Sequence, residues 1–419
     1  MAIFALLSAL VCLAAAFSLI SHRLRLPTTV GVMLLSLATS TLLAVSGRFI
    51  PGVHERAAAL VGHIDFSAVV LHGMLAYLLF AGALQLNLSD LSRQKSAVAA
   101  LSTFGTVLST VFVAAMLKVI FSVTGLPLGF VPCLLFGALI SPTDPIAVLE
   151  MLRRVGAPAS LEAQLGGESL FNDGVGAVLF LTLLESFSHG GRPSVAAFSW
   201  LLLVKAGGGI AMGLALGYLA YRLLRLVDSY RVEELLTLAL AMGGYALADW
   251  LRLSAPLEAV AAGLMVGSRA RHLAMTPMTQ EHVDRFWRLI DDMLNVILFL
   301  LLGLELLVMP WSRNYVYAGL LAIPVVLAAR WLSVIASLLL VRRLHKPARG
   351  AVTVLTWGGL RGALAVALAL SLAAGPAHDR VIAITYIVVI FSIVVQGLTM
   401  DRLLRRLGFA SEGRAVAEP

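Results

Sequence analysis

The chain has 419 residues, of which 60% are hydrophobic and only 13% are charged, and its mean hydropathy is +0.94. Soluble domains carry about 25% charged residues, so this composition excludes a water-soluble fold and indicates a multi-pass membrane protein. The net charge of +8 does not indicate nucleic-acid binding, because Lys and Arg are scattered over many short loops and form no basic domain.

Apolar runs of about 20 residues without alternating polarity predict membrane-spanning helices and an all-α fold, since the strands of a membrane barrel would alternate. We predict about thirteen spans in a single polytopic membrane domain, residues 1–419. The first run lacks a charged leading region and a cleavage site, so we expect it to be a retained helix. In chain order the predicted spans are 2–20, 28–45, 66–84, 98–120, 127–152, 161–187, 198–224, 233–250, 254–266, 286–308, 315–341, 351–374 and 381–404.

The loops after odd-numbered spans hold most of the Lys and Arg residues. Positive residues resist transfer across a membrane, so these loops are predicted to be cytoplasmic. The N-terminus is then outside and the C-terminus is cytoplasmic, as an odd number of spans requires. We expect a multi-pass protein of the cell (inner) membrane, with lipid and not nucleic acid as its partner.

Two predicted spans are interrupted by residues that do not propagate a helix. The fifth span contains SPTDP at residues 141–145, and the twelfth contains GGLRG at residues 358–362. A pair of Pro- or Gly-interrupted segments in corresponding halves is the sequence signature of a transporter's binding site. The two spans are predicted to run in opposite directions, which is what an inverted repeat requires.

Ionisable residues lie near the predicted mid-membrane depth, where each isolated charge is costly. At 1.5 Å per helical residue, Asp144 lies about 12 Å from the inner end of its span, Glu168 about 10 Å and Asp173 about 18 Å. Arg330 and Arg361 fall at a similar depth. If each arginine pairs with one acid, one carboxylate remains unpaired, and it must take up a proton or bind a cation.

The segment GESLFND places several oxygen-bearing side chains on one face of the sixth span. Glu168 and Asn172 are four residues apart, as are Ser169 and Asp173. Thr143 adds a hydroxyl and a freed carbonyl at the neighbouring interruption. Hard alkali cations prefer oxygen ligands of this kind.

Three motifs carry a family resemblance, namely ISPTDP, GGESLFNDG and WGGLRGALAVALAL. In this order, and across nearly the whole chain, they resemble the monovalent cation/proton antiporter superfamily and its NhaP-type, NHE-like branch. The resemblance implies a homodimer in which a core with two crossed, discontinuous helices moves like an elevator beside a dimerisation domain. The core would comprise approximately residues 98–187 and 315–405, and the dimerisation side approximately residues 1–84 and 198–308.

The resemblance also implies roles for the ion-binding residues. Asp173 corresponds to the ion- and proton-binding aspartate, and Asn172 to its neighbour in the Asn-Asp pair. Ser169 and the Thr143 carbonyl correspond to accessory ligands of the transported Na⁺, and Asp144 to the acid at the helix crossing.

The remaining mid-membrane charges have implied roles of a structural kind. Glu168 and Arg330 resemble a buried ion pair that links the sixth and eleventh spans, although no compact motif surrounds Arg330. Arg361 resembles the basic residue that offsets the carbonyl dipoles of the half-helices.

The expected function is electroneutral exchange of one Na⁺ or Li⁺ for one proton, by a secondary transporter and not an enzyme, with no cofactor, in sodium and pH homeostasis. Ligand type alone leaves a K⁺/H⁺ antiporter of the same fold open. A remote alternative is an intramembrane aspartyl protease that uses Asp144 and Asp173 as a dyad. Against it, neither residue lies in a Gly-x-Gly-Asp setting.

Other polar residues are expected at the ends of their spans, where snorkelling or interfacial solvation suffices. Lys205, Glu258 and Glu305 are predicted near outer ends, and Asp291 and Asp292 near an inner end. The glycines at 207–209, 213 and 217 indicate close helix packing along the seventh span, at a dimer interface or elsewhere.

Overall fold

The computed structural model describes residues 2–24, 26–47, 49–50, 52–86, 88–123, 128–188, 194–309, 311–342, 348, 350–373 and 378–409, and within them it contains helices and no strand. The predicted all-α class is confirmed for this part of the chain. Seven helices there are each long and apolar enough to cross a membrane, and a helix pair bent by 44° is a further candidate. Other predicted spans fall on shorter or more polar helices, so the count of thirteen stays a prediction.

Most of the α-helices overlap a predicted span, and two short ones, Val53–Gly62 and Arg271–Ala274, fall between spans. Those in the first half of the chain are α1 (Ala2–Arg23), α2 (Thr28–Ser46), α3 (Val53–Gly62), α4 (Phe66–Ala68), α5 (Leu75–Gln85), α6 (Leu88–Ala99), α7 (Thr106–Val123), α8 (Phe130–Ile140), α9 (Ile146–Arg154) and α10 (Ala159–Ser188). Those in the second half are α11 (Val195–Leu224), α12 (Tyr230–Trp250), α13 (Ala255–Met265), α14 (Arg271–Ala274), α15 (Pro277–Leu304), α16 (Arg313–Leu340), α17 (Ala351–Gly358), α18 (Ala363–Leu370), α19 (His378–Phe391) and α20 (Leu398–Arg406).

Both predicted interruptions are confirmed. The fifth predicted span consists of α8 and α9, which are separated by residues 141–145, and the twelfth consists of α17 and α18, which are separated by residues 359–362. Proline removes a backbone donor, and glycine weakens a helix interior. The two short segments of irregular backbone therefore lie inside otherwise helical spans.

Other predicted spans contain a π-helical turn that their sequences did not indicate. These turns join α4 to α5, α6 to α7, α13 to α14 and α19 to α20, and they cover Val69–Met74, Ala100–Gly105, Val266–Ala270 and Ser392–Gly397. A π-helical turn widens the helix locally and often lies at a functional site. The last of the four supplies two side chains to the site described below.

The glycines of α11 pack against α13 within the same chain. A methyl group added at Gly209 would overlap the carbonyl oxygen of Ser254, and one added at Gly213 would overlap that of Glu258. A methyl group added at Gly217 would lie 2.8 Å from the side chain of Met265, the last residue of α13. The predicted close packing is therefore present, but a dimer interface is the wrong location for these three glycines.

Helix α15 begins nine residues before the predicted start of its span. The Thr276 hydroxyl accepts a hydrogen bond from the Thr279 amide, and Pro277 occupies the first helical position, a favourable pattern at a helix start. Asp291 and Asp292 consequently lie in the middle of a 28-residue helix. They therefore do not lie at a helix end, and their position near the inner end of the membrane span stays a prediction.

Candidate functional site

The two interruptions contact each other directly. The backbone N–H of Asp144 donates to the Leu360 carbonyl at 2.7 Å. The Arg361 guanidinium donates through Nη1 to the carbonyls of Ser141 (2.5 Å) and Pro142 (2.9 Å). Helix α8 ends at this point, so carbonyls that lack an intrahelical donor receive a cationic one, at the negative end of the helix dipole.

The π-helical turn Ser392–Gly397 completes the second interruption. The Ser392 hydroxyl accepts from the Arg361 backbone N–H at 2.9 Å, and the Gln396 amide donates to the Trp357 carbonyl at 3.0 Å. Sequence reasoning missed both residues. Their signal was two polar side chains, four residues apart, in the otherwise apolar run of the thirteenth predicted span.

Helix α10 holds the first interruption through Thr143. The Asn172 amide donates to the Thr143 hydroxyl at 2.9 Å and accepts the Thr143 backbone N–H at 3.2 Å. The Ser169 hydroxyl donates to the Thr143 carbonyl at 2.5 Å. These three hydrogen bonds fix the irregular backbone, and they place several oxygen atoms around it.

Glu168 lies on the same helix, and its carboxylate forms a two-pronged ion pair with Arg330 of α16. The second contact joins Arg330 Nη2 to Glu168 Oε2 at 2.9 Å. Arg330 also donates from Nε and Nη2 to the Leu355 carbonyl of α17. Any side chain at residue 359 would collide with the guanidinium, so Gly359 leaves the space that it occupies. Glu168 is fully buried, and each of its carboxylate oxygens accepts a hydrogen bond from Arg330.

Asp173 has very different surroundings. Its side chain is only half-buried, and within the described ranges no hydrogen bond or ion pair reaches its carboxylate. The neighbouring charge is Asp144, which repels it. Asp144 is also half-buried; its Oδ1 accepts the Ile146 N–H at 3.1 Å, and the glycine at 362 leaves room for its Oδ2.

The expected matching of two arginines with two acids is therefore wrong in detail. Arg361 binds backbone carbonyls, not a carboxylate, because the end of α8 lacks other donors. Asp144 and Asp173 both lie without a cationic partner in the part of the chain that is described. Two acids and one guanidinium still leave one net negative charge at the meeting point of the two interruptions.

Known proteins resemble this chain over nearly its whole length. A family profile described as sodium/hydrogen exchanger, transmembrane, matches residues 6–406. The chain belongs to this family. Among curated relatives, it is 43% identical over 408 residues to the Na⁺/H⁺ antiporter NhaP of Pseudomonas aeruginosa, covering 96% of each chain. It is 34% identical over 348 residues to the Na⁺/H⁺ antiporter NhaH of Halobacillus dabanensis, covering 82% of this chain and 84% of the relative.

A solved structure has the same fold as this exchanger-family chain. It is the sodium proton antiporter MjNhaP1 of Methanocaldococcus jannaschii at pH 8, which superimposes with a TM-score of 0.76 at 22% identity. The match covers 97% of this chain and 98% of the other. The resemblance read from the three motifs is thereby confirmed at the level of family and fold.

Arg361 lines two small cavities in this exchanger-family site. One is lined by Asp144 and Phe299, together with Val30, Ala147, Leu360 and Ile393. The other is lined by Arg330 and Gln396, among mainly apolar residues. No cluster of three or more His, Cys, Asp or Glu side chains with metal-ligand spacing occurs among the described residues. The oxygens around the first interruption are hydroxyl, carbonyl, amide and carboxylate oxygens, supplied by Ser169, Thr143, Asn172 and Asp144.

The polar residues outside this site differ from the expected solvated ends. Lys205 is paired with Glu185 of α10. Glu258 is fully buried, and neither of its carboxylate oxygens has a hydrogen-bond partner among the described residues. Glu305 is also buried. Interfacial solvation is therefore the wrong interpretation for Glu258 and Glu305, which lie inside the helix packing.

Proposed function

We propose that this protein is an electroneutral Na⁺(Li⁺)/H⁺ antiporter that exchanges one cation for one proton at Asp173. The observation that carries the proposal is the half-buried Asp173 carboxylate, which has no hydrogen bond or ion pair among the described residues. A carboxylate in a poorly solvated place is stabilised by a bound proton or by a bound cation, and one site cannot hold both. Competition between the two ligands is the basis of exchange.

The hydroxyl groups beside Asp173 support cation binding. Ser169 directs its proton to the Thr143 carbonyl, so the lone pairs of its oxygen stay available. Thr143 accepts a hydrogen bond from Asn172, which orients its hydroxyl. Asp173 and Asp144 supply negative charge, and a hard alkali cation favours such an oxygen set.

The charge balance supports a ratio of one to one. Glu168 and Arg330 neutralise each other. Asp144, Asp173 and Arg361 together leave one net negative charge, which one Na⁺ or one H⁺ neutralises. Asn172 adds no charge beside Asp173. The carrier therefore crosses the membrane in the same charge state with either ligand.

The proposed architecture contains more spans than the seven helices and one bent helix pair that, among the described residues, are long and apolar enough to cross a membrane. We propose thirteen spans with the N-terminus outside and the C-terminus in the cytoplasm, two crossed discontinuous helices, and an inverted repeat. The core (98–187 and 315–405) would move as an elevator against a dimerisation side (1–84 and 198–308) in a lipid-embedded homodimer of the inner membrane. The contact between the two interruptions and the fold likeness support this arrangement.

The test is Na⁺-driven proton movement in proteoliposomes that contain a pH-sensitive dye. We expect Na⁺ and Li⁺ to dequench the dye with wild-type protein and Asp173→Asn to abolish the response. Glu150→Gln, which removes an exposed acid on α9, is the matched control and should retain the response. Exchange retained in Asp173→Asn would refute the role of Asp173, and a response to K⁺ alone would favour a K⁺/H⁺ antiporter.

Electroneutrality needs its own measurement. Exchange of one charge for one charge generates no membrane potential, so a potential-sensitive dye should stay silent while the pH dye responds. Clamping the potential with K⁺ and valinomycin should leave the exchange rate unchanged. A potential that grows with the Na⁺ gradient would contradict the one-to-one ratio.

A further inference from the structure

Helix α15 carries a stripe of residues that leads to the cavity beside Asp144. Asp291, Asn295 and Phe299 are each four residues apart, so they lie on one face of the helix. Phe299 lines the cavity that also contains Asp144 and Arg361. Asp291 lies two turns before Phe299, about 12 Å along the helix axis. In the proposed orientation this is the direction of the cytoplasm.

Asn295 has an unmet hydrogen-bonding need within this stripe. Its side chain is 3% exposed, and its Nδ2 donates to Asp291 Oδ1 at 3.0 Å. Its own carbonyl oxygen is buried and has no hydrogen-bond partner among the described residues. A buried acceptor without a donor is unfavourable, and an alkali cation would satisfy it as an oxygen ligand.

Two acids act on Asp291. Its side chain is half-buried, and both Asp292 and Asp144 repel it. Asn295 donates a neutral hydrogen bond, and the nearby cationic Arg288 acts on Asp292. No ion pair of Asp291 occurs in the described part of the chain. The carboxylate therefore attracts a cation to the part of α15 where the Asn295 carbonyl oxygen has no donor among the described residues.

We propose that Asp291 and Asn295 form a first binding station for the alkali cation on its way from the cytoplasm to Asp144 and Asp173. This proposal rests on the proposed antiport function and adds a site outside the two interruptions. The carboxylate of Asp291 raises the local cation concentration, and the Asn295 carbonyl oxygen replaces part of the hydration shell. Both residues act on cation affinity from one side of the membrane and not on the exchange step itself.

The test compares Na⁺ affinity from the two sides of the membrane. In everted vesicles Na⁺ reaches the cytoplasmic face, and in right-side-out vesicles it reaches the external face. We take the Asp291 charge to lie about 10 Å from a cation in the cavity beside Asp144. At an effective dielectric constant of 20 to 40, removing this charge weakens cation binding by about four- to fifteenfold. We therefore expect Asp291→Asn to raise the KM for cytoplasmic Na⁺ by about that factor. The maximal rate and the external KM should stay within about twofold of wild type.

Asp292→Asn is the matched control, because it removes the same charge from the next residue, which is exposed and faces elsewhere. It should change the cytoplasmic KM by less than about twofold. Asn295→Ala should raise the same KM, and Asp291→Glu should restore it towards wild type. An equal shift in Asp292→Asn, or equal shifts on both membrane faces for Asp291→Asn, would overturn the proposal.

The antiport assignment is tested separately by Asp173→Asn. If wild-type vesicles exchange Na⁺ for protons, Asp173→Asn does not, and Asp291→Asn behaves as Asp292→Asn does, only the first binding station is refuted. If wild-type vesicles show no exchange, or if Asp173→Asn retains it, the proposed function itself fails. Equal expression and a monodisperse elution profile of each variant in detergent establish that a changed KM does not arise from misfolding.

Discussion

Helix α10 presents two acids, Glu168 and Asp173, to opposite kinds of environment. Glu168 is fully buried, and the Arg330 guanidinium binds both of its oxygens. Asp173 is half-buried, and among the described residues it has a repulsive neighbour, Asp144, and no hydrogen-bond donor. The comparison teaches that the partners of a carboxylate, and not its depth alone, separate a structural acid from one that is free to exchange ligands.

Removing the structural acid should have the largest effect on stability. Glu168→Gln leaves the buried Arg330 charge without its counter-ion, and breaking such a pair from one side costs about 3–5 kcal/mol. We expect a correspondingly lower unfolding temperature in detergent. The double variant Glu168→Leu with Arg330→Met should recover most of the loss, because neither charge then remains. A single variant as stable as wild type would show that the pair is not structural.

Substitution of Arg361 shows whether a guanidinium that binds backbone carbonyls also stabilises the fold. Arg361→Ala removes donors from the Ser141 and Pro142 carbonyls at the end of α8. We expect a loss of about 2–3 kcal/mol, as for hydrogen bonds to a charged group, measured by thermal unfolding. Arg361→Lys should restore part of the stability, since it returns a cation but not the same geometry. Equal stability of the Ala and Lys variants would contradict a role in binding these carbonyls.

Local signals predicted much of this site. SPTDP and GGLRG mark interruptions because proline and glycine oppose helix formation at their own positions. GESLFND placed Ser169 and Asn172 on the face that binds Thr143, because helical spacing fixes that face. The predicted span at 286–308 missed the start of α15, although Thr276 followed by Pro277 is a common helix start and marks it.

Partners between distant segments could not be predicted in the same way. The family resemblance implied that Arg361 offsets carbonyl dipoles, but nothing near Arg361 in the sequence says that these are the carbonyls at the end of α8. That choice depends on how two interruptions more than 200 residues apart meet. The complete burial of Glu258 likewise depends on two other helices, since its backbone carbonyl lies against Gly213 of α11 and its carboxylate lies against Gly244 of α12. Local periodicity carries no information on either contact.

Asp173 should show the smallest effect on stability. Asp173→Asn leaves no buried partner behind, because within the described ranges none is bound to the carboxylate, and it removes the repulsion with Asp144. We expect the free energy of unfolding without Na⁺ to fall by less than about 0.5 kcal/mol, because the change breaks none of the bonded or packed features that cause large losses. A loss as large as that of Glu168→Gln would mean that Asp173 has a structural partner.

The same variant separates ligand binding from structure when Na⁺ is added. A ligand that binds only the folded protein stabilises it by RT ln(1 + [Na⁺]/Kd), which is about 1.4 kcal/mol at ten times Kd. We expect Na⁺ to raise the unfolding temperature of the wild type in proportion, with choline as the ionic-strength control. Asp173→Asn should not respond, because its amide cannot supply the charge that holds the cation. Glu168→Leu with Arg330→Met, in contrast, should still respond, since its Asp173 is intact. A Na⁺ response that survives in Asp173→Asn and disappears in the double variant would reverse the roles of the two acids on α10.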